Sequence, residues 1–220
     1  MGSGRDRVQQ ADVDANEVKQ TTTEDWLKRN ADRLLRKVGI AEGQQVLDFG
    51  CGSGHYTIPA ARIIGQRGVI YALDKEPEAL DRLMDKAESE NLSNIRRVEV
   101  THNGRIPLPA GSVDVILLYD VLHRGYFPEQ SDRRPVLSEL HRVLRKDGFV
   151  SFYPTHLKRY GLTFERLRSE LEEVGFTVAD ESHKRTVVHD NNVVRGRVFS
   201  LHKMANGASR PGRKPDGNVR

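Results

Sequence analysis

Short apolar runs rich in Val and Ile alternate with helical patterns along most of the chain, and this alternation limits the possible folds more than any other feature. The runs QVLDFG, GVIYALD and VDVILLYD are apolar on both faces, which is typical of strands buried inside a sheet. Helical patterns such as EPEALDRLMDKAESEN and LTFERLRSELEEVG lie among them. We therefore predict an α/β fold with a mostly parallel sheet and helices on both of its faces.

The last part of the chain breaks this rhythm. The helical pattern RPVLSELHRVLRKDG leads to the strand FVSFYP, and the next helix leads to two strand-like runs, FTVADESHK and VVRGRVFSLHK. Only the turn-rich HDNN region separates these two runs, whereas a parallel pair would need a crossover of about a dozen residues or more. We therefore predict that the two runs are antiparallel to each other.

Composition predicts one folded domain with polar ends. The chain has 220 residues and a net charge of +4. Most of that charge comes from the tail NGASRPGRKPDGNVR, which contains four basic residues and one acidic residue. We predict a folded domain over residues 22–204, a disordered or loosely attached segment over 1–21 and a disordered basic tail over 205–220. No apolar stretch reaches the length of a membrane span, about 18–20 residues, and MGSGRDRVQQ lacks the apolar core of a signal peptide, so we expect a cytoplasmic location.

The stretch VLDFGCGSGHY places three glycines on alternate positions directly after a predicted strand. Glycine permits positive φ and lets a ligand approach the main chain, so a strand, a glycine loop and a helix in this order indicate a nucleotide-like ligand. The dinucleotide-binding pattern G-x-G-x-x-G/A fails because His55 or Thr57 takes its sixth position, which disfavours a nicotinamide oxidoreductase. The Gly-Lys-Ser/Thr sequence of a phosphate-binding loop is also absent. Asp74, at the end of the next strand, can accept two hydrogen bonds from a ribose diol.

The spacing Asp48-x-Gly50-x-Gly52-x-Gly54, with Asp74 about 20 residues further on, resembles the first motifs of class I S-adenosylmethionine-dependent methyltransferases. Later elements are similar to the same family, so that the resemblance covers roughly residues 24–203. It implies a Rossmann-like seven-stranded sheet with an antiparallel last strand, S-adenosyl-L-methionine as cofactor and S-adenosyl-L-homocysteine as product. It is closest to the small-molecule branch, which includes quinone-biosynthesis C-methyltransferases and arsenite methyltransferases.

The resemblance also implies roles for individual residues. Asp48 would approach the amino group of the cofactor's methionine part, Asp74 would hold the ribose, and Lys75 would flank the adenine. Where the family usually has an acid after the third strand, this chain has His102 or Asn103, and the amide oxygen of Asn103 can accept a hydrogen bond from the adenine amino group. The full set of implied cofactor-binding residues is Asp48, Gly50, Cys51, Gly52, Gly54, Asp74, Lys75, Asn103 and Tyr119.

Candidates for the acceptor side follow the fourth predicted strand, in LLYDVLHRGYF. His123 is a candidate general base, because histidine titrates near neutral pH, and Asp120 is its candidate partner. A capping or packing role for His123 and a structural role for Asp120 stay open. The segment RGYFPEQSDRR has the length and composition of a loop over the site. Further residues that either meet an anionic acceptor or lie exposed at the surface are Arg124, Arg133, Arg134, Tyr153, His156 and Lys158.

Residues that the chain lacks narrow its chemistry. The Asn/Asp-Pro-Pro-aromatic motif of amino-directed nucleic-acid methyltransferases is replaced by YDVL. The only cysteine, Cys51, supplies neither the nucleophile of a 5-methylcytosine enzyme nor the thiols of an arsenite methyltransferase, and no metal site is expected. We predict a methyltransferase that acts on a small-molecule acceptor, with a quinone-precursor C-methyltransferase or a cofactor-binding module without transferase activity as alternatives. No nucleic-acid partner is expected, and the oligomeric state stays open.

Overall fold

The computed structural model describes residues 26, 29–99, 104–123, 125–157, 159, 161–179, 183–189 and 192–204. The predicted flanking segments 1–21 and 205–220 lie outside the described residues. So do four residues that the sequence singled out, namely His102, Asn103, Arg124 and Lys158.

The described residues form one mixed sheet of eight strands. In chain order these are β1 (Gln45–Phe49), β2 (Val69–Leu73), β3 (Ile95–Val98), β4 (Val113–Tyr119), β5 (Leu144–Tyr153), β6 (Phe176–Val178), β7 (His183–His189) and β8 (Asn192–Lys203). The order along the sheet is β3-β2-β1-β4-β5-β8-β6, and β7 pairs with β8 beside this path. The first five strands are parallel, and β8 is antiparallel to β5, β6 and β7. The predicted α/β fold is confirmed, with eight strands in place of seven.

Five helices among the described residues cover both faces of the sheet: α1 (Ala31–Lys37), α2 (Thr57–Ile64), α3 (Pro77–Ser89), α4 (Gln130–Val143) and α5 (Phe164–Glu173). Leu34, Ile58 and Leu83, one from each of α1 to α3, share a buried core on one face. Leu137 of α4 and Leu167 of α5 belong to the core on the other face. In the described part of the chain, no helix has the length and apolar character needed to cross a membrane.

The predicted helix RPVLSELHRVLRKDG is wrong at its C-terminal end. Helix α4 ends at Val143, and Leu144 already pairs with Val113 as the first residue of β5. The register then shifts, so that the residues after Leu144 bulge out of the sheet. Gly148 permits this bulge, because a Cβ at that position would lie only 2.6 Å from the carbonyl oxygen of Asp114.

The predicted strand FTVADESHK is divided into β6 and β7, and both are antiparallel to β8, as predicted for this pair of runs. Residues 199–202 of β8 pair with β5, whereas residues 192–198 pair with β7. Because Phe199 pairs with Phe152, near the end of β5, residues 192–198 extend past the carboxyl edge of the parallel sheet. We call β7 and residues 192–198 the overhanging hairpin. It lies at the edge where parallel α/β sheets bind their ligands.

Candidate functional site

The glycine loop after β1 is tied to the end of β2. The amides of Gly50 and Cys51 both donate to the carbonyl oxygen of Leu73, at 2.7 and 3.0 Å. The amide of Gly52 donates to Oδ2 of Asp74 at 2.7 Å. Oδ1 of Asp74 accepts from the amide two residues further on at 3.0 Å. The carboxylate of Asp74 therefore joins the loop to the second strand.

The three glycines of the loop have different surroundings. All three have positive φ, with +80° at Gly50, +52° at Gly52 and +85° at Gly54. A Cβ at Gly50 would lie 2.5 Å from Cγ2 of Val121, and one at Gly54 would lie 2.3 Å from Cδ1 of Leu83, so these two glycines permit close packing. A Cβ at Gly52 would meet no atom within 4 Å. Gly52 therefore leaves its main chain open to an approaching ligand.

Asp48, near the end of β1, is buried, and its Oδ2 accepts a hydrogen bond from Oγ1 of Thr57 at 2.6 Å. Burial raises the pKa of Asp48 to about 7; the Thr57 hydroxyl opposes this rise, and the charge of Asp74 adds to it. Burial also raises the pKa of the Cys51 thiol well above its usual range, so this cysteine is not a reactive nucleophile. The loop thus adjoins an acid that titrates near neutral pH.

Three tyrosines lie together on the same side of the sheet as Asp48. The ring of Tyr119 meets those of Tyr56 and Tyr153 edge-on, with centroid distances of 4.7 and 6.3 Å. The hydroxyl of Tyr119 shares a hydrogen bond with Oγ of Ser151 at 2.7 Å. The hydroxyl of Tyr56 accepts from the amide of Val188 at 2.8 Å and contacts its carbonyl oxygen at 3.3 Å. Tyr56 therefore clamps the overhanging hairpin onto the start of α2.

A cation–π contact crosses the cleft at the end of β1. Nζ of Lys75, just after β2, lies 4.5 Å from the ring centre of Tyr126, which follows β4. Since β1 lies between β2 and β4, this contact passes over the carboxyl end of β1, where the glycine loop lies. The ring of His123 packs on Tyr126 with 4.7 Å between the ring centres. Tyr126 therefore lies near the glycine loop, but the predicted loop RGYFPEQSDRR is shorter than expected, because α4 already begins at Gln130.

Asp120, the first residue after β4, has φ of +58°. This left-handed conformation is uncommon for residues other than glycine, although Asp and Asn tolerate it. Oδ1 of Asp120 accepts a hydrogen bond from Oγ1 of Thr155, and the Asp120 amide donates to the carbonyl oxygen of Tyr153 at 3.0 Å. These two bonds join the ends of β4 and β5 and fix the direction of the carboxylate.

His123 is buried close to Asp120, with 3.9 Å between its Nε2 and Oδ1 of the carboxylate. Nδ1 of His123 accepts a hydrogen bond from the amide of Gly125 at 3.0 Å. The neutral ring therefore carries its proton on Nε2, and its lone pair is already occupied. The ring of His156 meets His123 edge-on at 5.4 Å. The structure therefore brings His123 and Asp120, the predicted pair, close together.

Comparisons with known proteins agree with this site. The family described as "Methyltransferase domain" matches residues 46–148, which include the glycine loop, Asp74 and Asp120. The chain is 27% identical to a probable cobalt-precorrin-6B C(15)-methyltransferase (decarboxylating) of Saccharolobus solfataricus, over 64% of this chain and 66% of that protein. It is also 27% identical to the demethylmenaquinone methyltransferase of Geobacillus stearothermophilus, over 53% of this chain and 47% of that protein.

The fold is shared with a solved structure. The structure of an S-adenosylmethionine-dependent methyltransferase from Aquifex aeolicus superposes with a TM-score of 0.62 at 23% identity, covering 80% of this chain and 91% of that one. Residues 46–148, just under half of the chain, are therefore similar to methyltransferases, as the glycine motif predicted. It spans less than two thirds of the two named relatives.

The residues of this site fit S-adenosylmethionine, the cofactor that the similarity to S-adenosylmethionine-dependent methyltransferases implies. Gly52 offers an open main chain, and the carboxylate of Asp74 lies beside it with lone pairs for a ribose diol. Lys75 lies next along the chain from Asp74. Tyr119 lies further back, in the tyrosine cluster near Asp48. No cluster of three or more His, Cys, Asp or Glu side chains that could hold a metal ion occurs among residues with described positions.

The sequence suggested that Arg133 either meets an anionic methyl acceptor or lies exposed at the surface. In the structure it is instead buried and paired with a carboxylate of the protein. It is 2% exposed, and its guanidinium makes two hydrogen bonds of 2.7 Å to the carboxylate of Glu170. A third bond of 2.7 Å runs from Nη1 to the carbonyl oxygen of Phe127. Arg133 therefore anchors the segment that carries Tyr126 to helix α5. Arg134 is exposed and lies 3.7 Å from Glu173.

Sequence reasoning missed Tyr56, Glu170 and Arg185. The stretch GHY at the end of the glycine loop contains Tyr56, but its partner Val188 lies 132 positions further along the chain. Glu170 reads as one of several acids in an amphipathic helix, and no local pattern marks it as buried. Arg185 reads as one more basic residue in a strand, but in β7 its Nε is shielded from solvent and has no hydrogen-bond partner among the described residues.

Proposed function

We propose that this protein transfers the methyl group of S-adenosylmethionine to a small-molecule acceptor. The observation that carries the proposal is the open main chain of Gly52 beside the carboxylate of Asp74. Together they combine a close approach for a ligand with hydrogen-bond acceptors for a diol. The names of the two relatives, a precorrin methyltransferase and a demethylmenaquinone methyltransferase, support a small molecule as the acceptor.

When bound, S-adenosylmethionine supplies a methyl carbon that its sulfonium makes electrophilic. The chain's part in such a transfer is mainly positioning, which can contribute about 7–11 kcal/mol in favourable cases. Asp74 would orient the ribose, and Asp48 would become ionised beside a positively charged amino group, which lowers the pKa of a buried carboxyl. Tyr126, stacked against Lys75 and His123, would limit the access of water from above the glycine loop.

We propose that Asp120 accepts the acceptor's proton and that His123 positions it. The left-handed backbone of Asp120 and its bond from Thr155 direct the carboxylate at the ends of β4 and β5. The lone pair of His123 is taken by the amide of Gly125, which leaves Nε2–H facing Asp120. This arrangement favours the carboxylate as the base and the imidazole as its support.

We expect Asp120→Asn to reduce kcat by about 10²-fold, the lower end of what a general base contributes, with little change in cofactor affinity. Asn keeps the shape and tolerates the same backbone conformation, so the substitution removes the proton-accepting group alone. The measurement is single-turnover methyl transfer from labelled cofactor as a function of pH. His123→Ala should reduce kcat less than Asp120→Asn does. The reverse order would make the imidazole the base.

A second candidate is C-methylation of a quinone precursor, which the 27% identity to the demethylmenaquinone methyltransferase favours. Methyl transfer to prenylated phenols, compared with the same phenols without the prenyl chain, separates this candidate from other acceptors. A cofactor-binding module without transferase activity would bind the cofactor and transfer nothing to any of them.

The cofactor is tested by calorimetric titration with S-adenosylmethionine, S-adenosylhomocysteine and NAD. We expect binding of the two adenosyl ligands alone, and a loss of at least about tenfold in Gly52→Ala, because the new Cβ occupies the open approach. Gly43→Ala is the matched control, since Gly43 has φ of +81°, open surroundings and a position outside the loop. Each variant should lose about 1–2 kcal/mol of stability to backbone strain, so only binding distinguishes them. Binding of NAD alone, or equal affinities of the two variants, would contradict the proposal.

We also propose that residues 22–204 form one cytoplasmic domain with loosely attached ends. Limited proteolysis is expected to cut within 1–21 and 205–220 first. Rapid cutting inside 22–204 would contradict this division.

A further inference from the structure

Arg185 of the overhanging hairpin faces the site. It pairs with Gly196 across the hairpin, so the two residues share one face. On that face the ring of Tyr153 is pressed against Gly196, because a Cβ there would lie 2.2 Å from Cε2 of the ring. Val187, two positions along on the same face, is fully buried. The side chain of Arg185 therefore starts beside Tyr153, at the carboxyl edge of the sheet.

The guanidinium of Arg185 has no counter-charge in the described part of the chain. Its Nε is shielded from solvent and has no hydrogen-bond partner there. Among the residues with described positions, its Nη1 reaches only the carbonyl oxygen of Lys184, at a long 3.4 Å. A buried donor of a charged group that lacks a partner costs free energy, and in native structures such a group calls for an explanation. One such explanation is a ligand that supplies the missing hydrogen-bond acceptor.

The surroundings of the guanidinium favour a ligand at the acceptor side. Burial raises the pKa of Tyr119, its bond to Ser151 opposes the rise, and the nearby positive charge of Arg185 opposes it as well. The guanidinium therefore lies within electrostatic range of Tyr119, the last residue of β4. Asp120 follows directly, so the cation and the proposed base lie at the same edge of the sheet.

We propose that Arg185 binds an oxyanion, carboxylate or phosphate, on the methyl acceptor. Guanidinium groups match both anions because their planar fork can donate two parallel hydrogen bonds. The overhanging hairpin is then the element that selects the acceptor: it holds the cation in place through the clamp of Tyr56 on Val188. This inference rests on the proposed methyltransferase function, since it assigns the anion to the acceptor.

The test follows the arginine Nε–H resonances of ¹⁵N-labelled protein in the presence of S-adenosylhomocysteine. Acetate and methyl phosphate serve as the two anionic probes, and acetamide is the neutral control. Arg185→Met identifies the resonance of Arg185 by its absence. Arg195 is the matched control, because it is exposed and lies on the opposite face of the same hairpin, paired with Thr186. We expect one of the two anions to shift the Arg185 resonance saturably while acetamide and the Arg195 resonance show no such response.

A second readout separates binding from a purely structural role. We expect Arg185→Met to raise the Tm of the ligand-free protein, because it removes a charge whose donor has no partner, whereas Arg195→Met leaves the Tm unchanged. A lower Tm in Arg185→Met would overturn the proposal by making the arginine a structural residue.

Other outcomes are equally decisive. The absence of a saturable shift with either anion, while S-adenosylhomocysteine binds, would overturn the acceptor site alone. A shift of the Arg185 resonance caused by S-adenosylhomocysteine itself would assign the guanidinium to the cofactor's carboxylate and also overturn it. Failure of S-adenosylhomocysteine to bind the wild type would instead overturn the proposed function.

Discussion

Glu170→Gln is expected to lower the free energy of unfolding by about 3–5 kcal/mol, because it leaves the buried guanidinium of Arg133 without its counter-charge. Arg133 and Glu170 are 2% and 4% exposed, and two bonds of 2.7 Å join them. Glu170→Gln removes the negative charge, but the positive charge of Arg133 stays buried at its full cost. Urea unfolding of the wild type and the variant measures the difference.

Two further variants show whether the buried pair is the cause. Glu173, on the same helix as Glu170, forms an exposed pair with Arg134 of α4, and Glu173→Gln should cost no more than about 1 kcal/mol. The double variant Arg133→Met/Glu170→Leu removes both charges and should recover most of the lost stability. The double variant also loses the bond from Arg133 to the carbonyl of Phe127, so amide exchange should become faster near Tyr126. Equal losses in Glu170→Gln and Glu173→Gln would contradict the structural role given to Arg133.

At pH 8, Asp48→Asn is expected to stabilise the ligand-free protein by up to about 4 kcal/mol. The pKa of Asp48 is raised to about 7, so the folded protein holds a proton that the unfolded chain releases near pH 4. The raised pKa makes the folded state less favourable as pH rises from about 4 to about 7, and the full cost remains above that range. Asn has no charge to bury and can still accept the bond from Thr57.

Urea unfolding at a series of pH values between about 4 and 8 measures this effect, because the gain must grow with pH across the interval that separates the two pKa values. At the acidic end the two proteins should be about equally stable. Asp85→Asn, at an exposed position of α3, is the control and should show no gain. The affinity of Asp48→Asn for S-adenosylmethionine should fall, because the ionised carboxylate would attract the cofactor's amino group. A gain in stability that does not change with pH would contradict the raised pKa of the buried Asp48.

Local patterns were sufficient to predict the fold and to locate the glycine loop. The alternation of strand and helix patterns depends on neighbouring residues, so it indicated the parallel sheet without any knowledge of packing. The spacing of Gly50, Gly52 and Gly54 is likewise local, because these residues lie within one turn of the main chain. The end of α4 was wrong by five residues for a different reason: Leu144 pairs with Val113, and that pairing outweighs the helical preference of the sequence LRKDG.

The acceptor side needed the tertiary structure. His123 and Asp120 follow the same strand, and their proximity was expected from the sequence, but the bond from Gly125 that occupies the imidazole lone pair depends on how the loop closes. Which of the three glycines faces open space was equally hidden, because that depends on Val121 and Leu83, which pack from other elements.

The sequence by itself determined the α/β sheet, the antiparallel end of the chain and a glycine spacing that resembles class I methyltransferases, since each depends on residues close together in the chain. Only the tertiary structure decided which charges are buried and what they meet. Arg133 reads like Arg134, yet one is paired inside the protein and the other is exposed at its surface. Arg185 reads like Arg195, yet the pleat of the hairpin turns one toward the site and the other away from it. The physical reason is that the cost of burying a charge depends on all groups around it, and those groups come together from distant parts of the chain only when it folds.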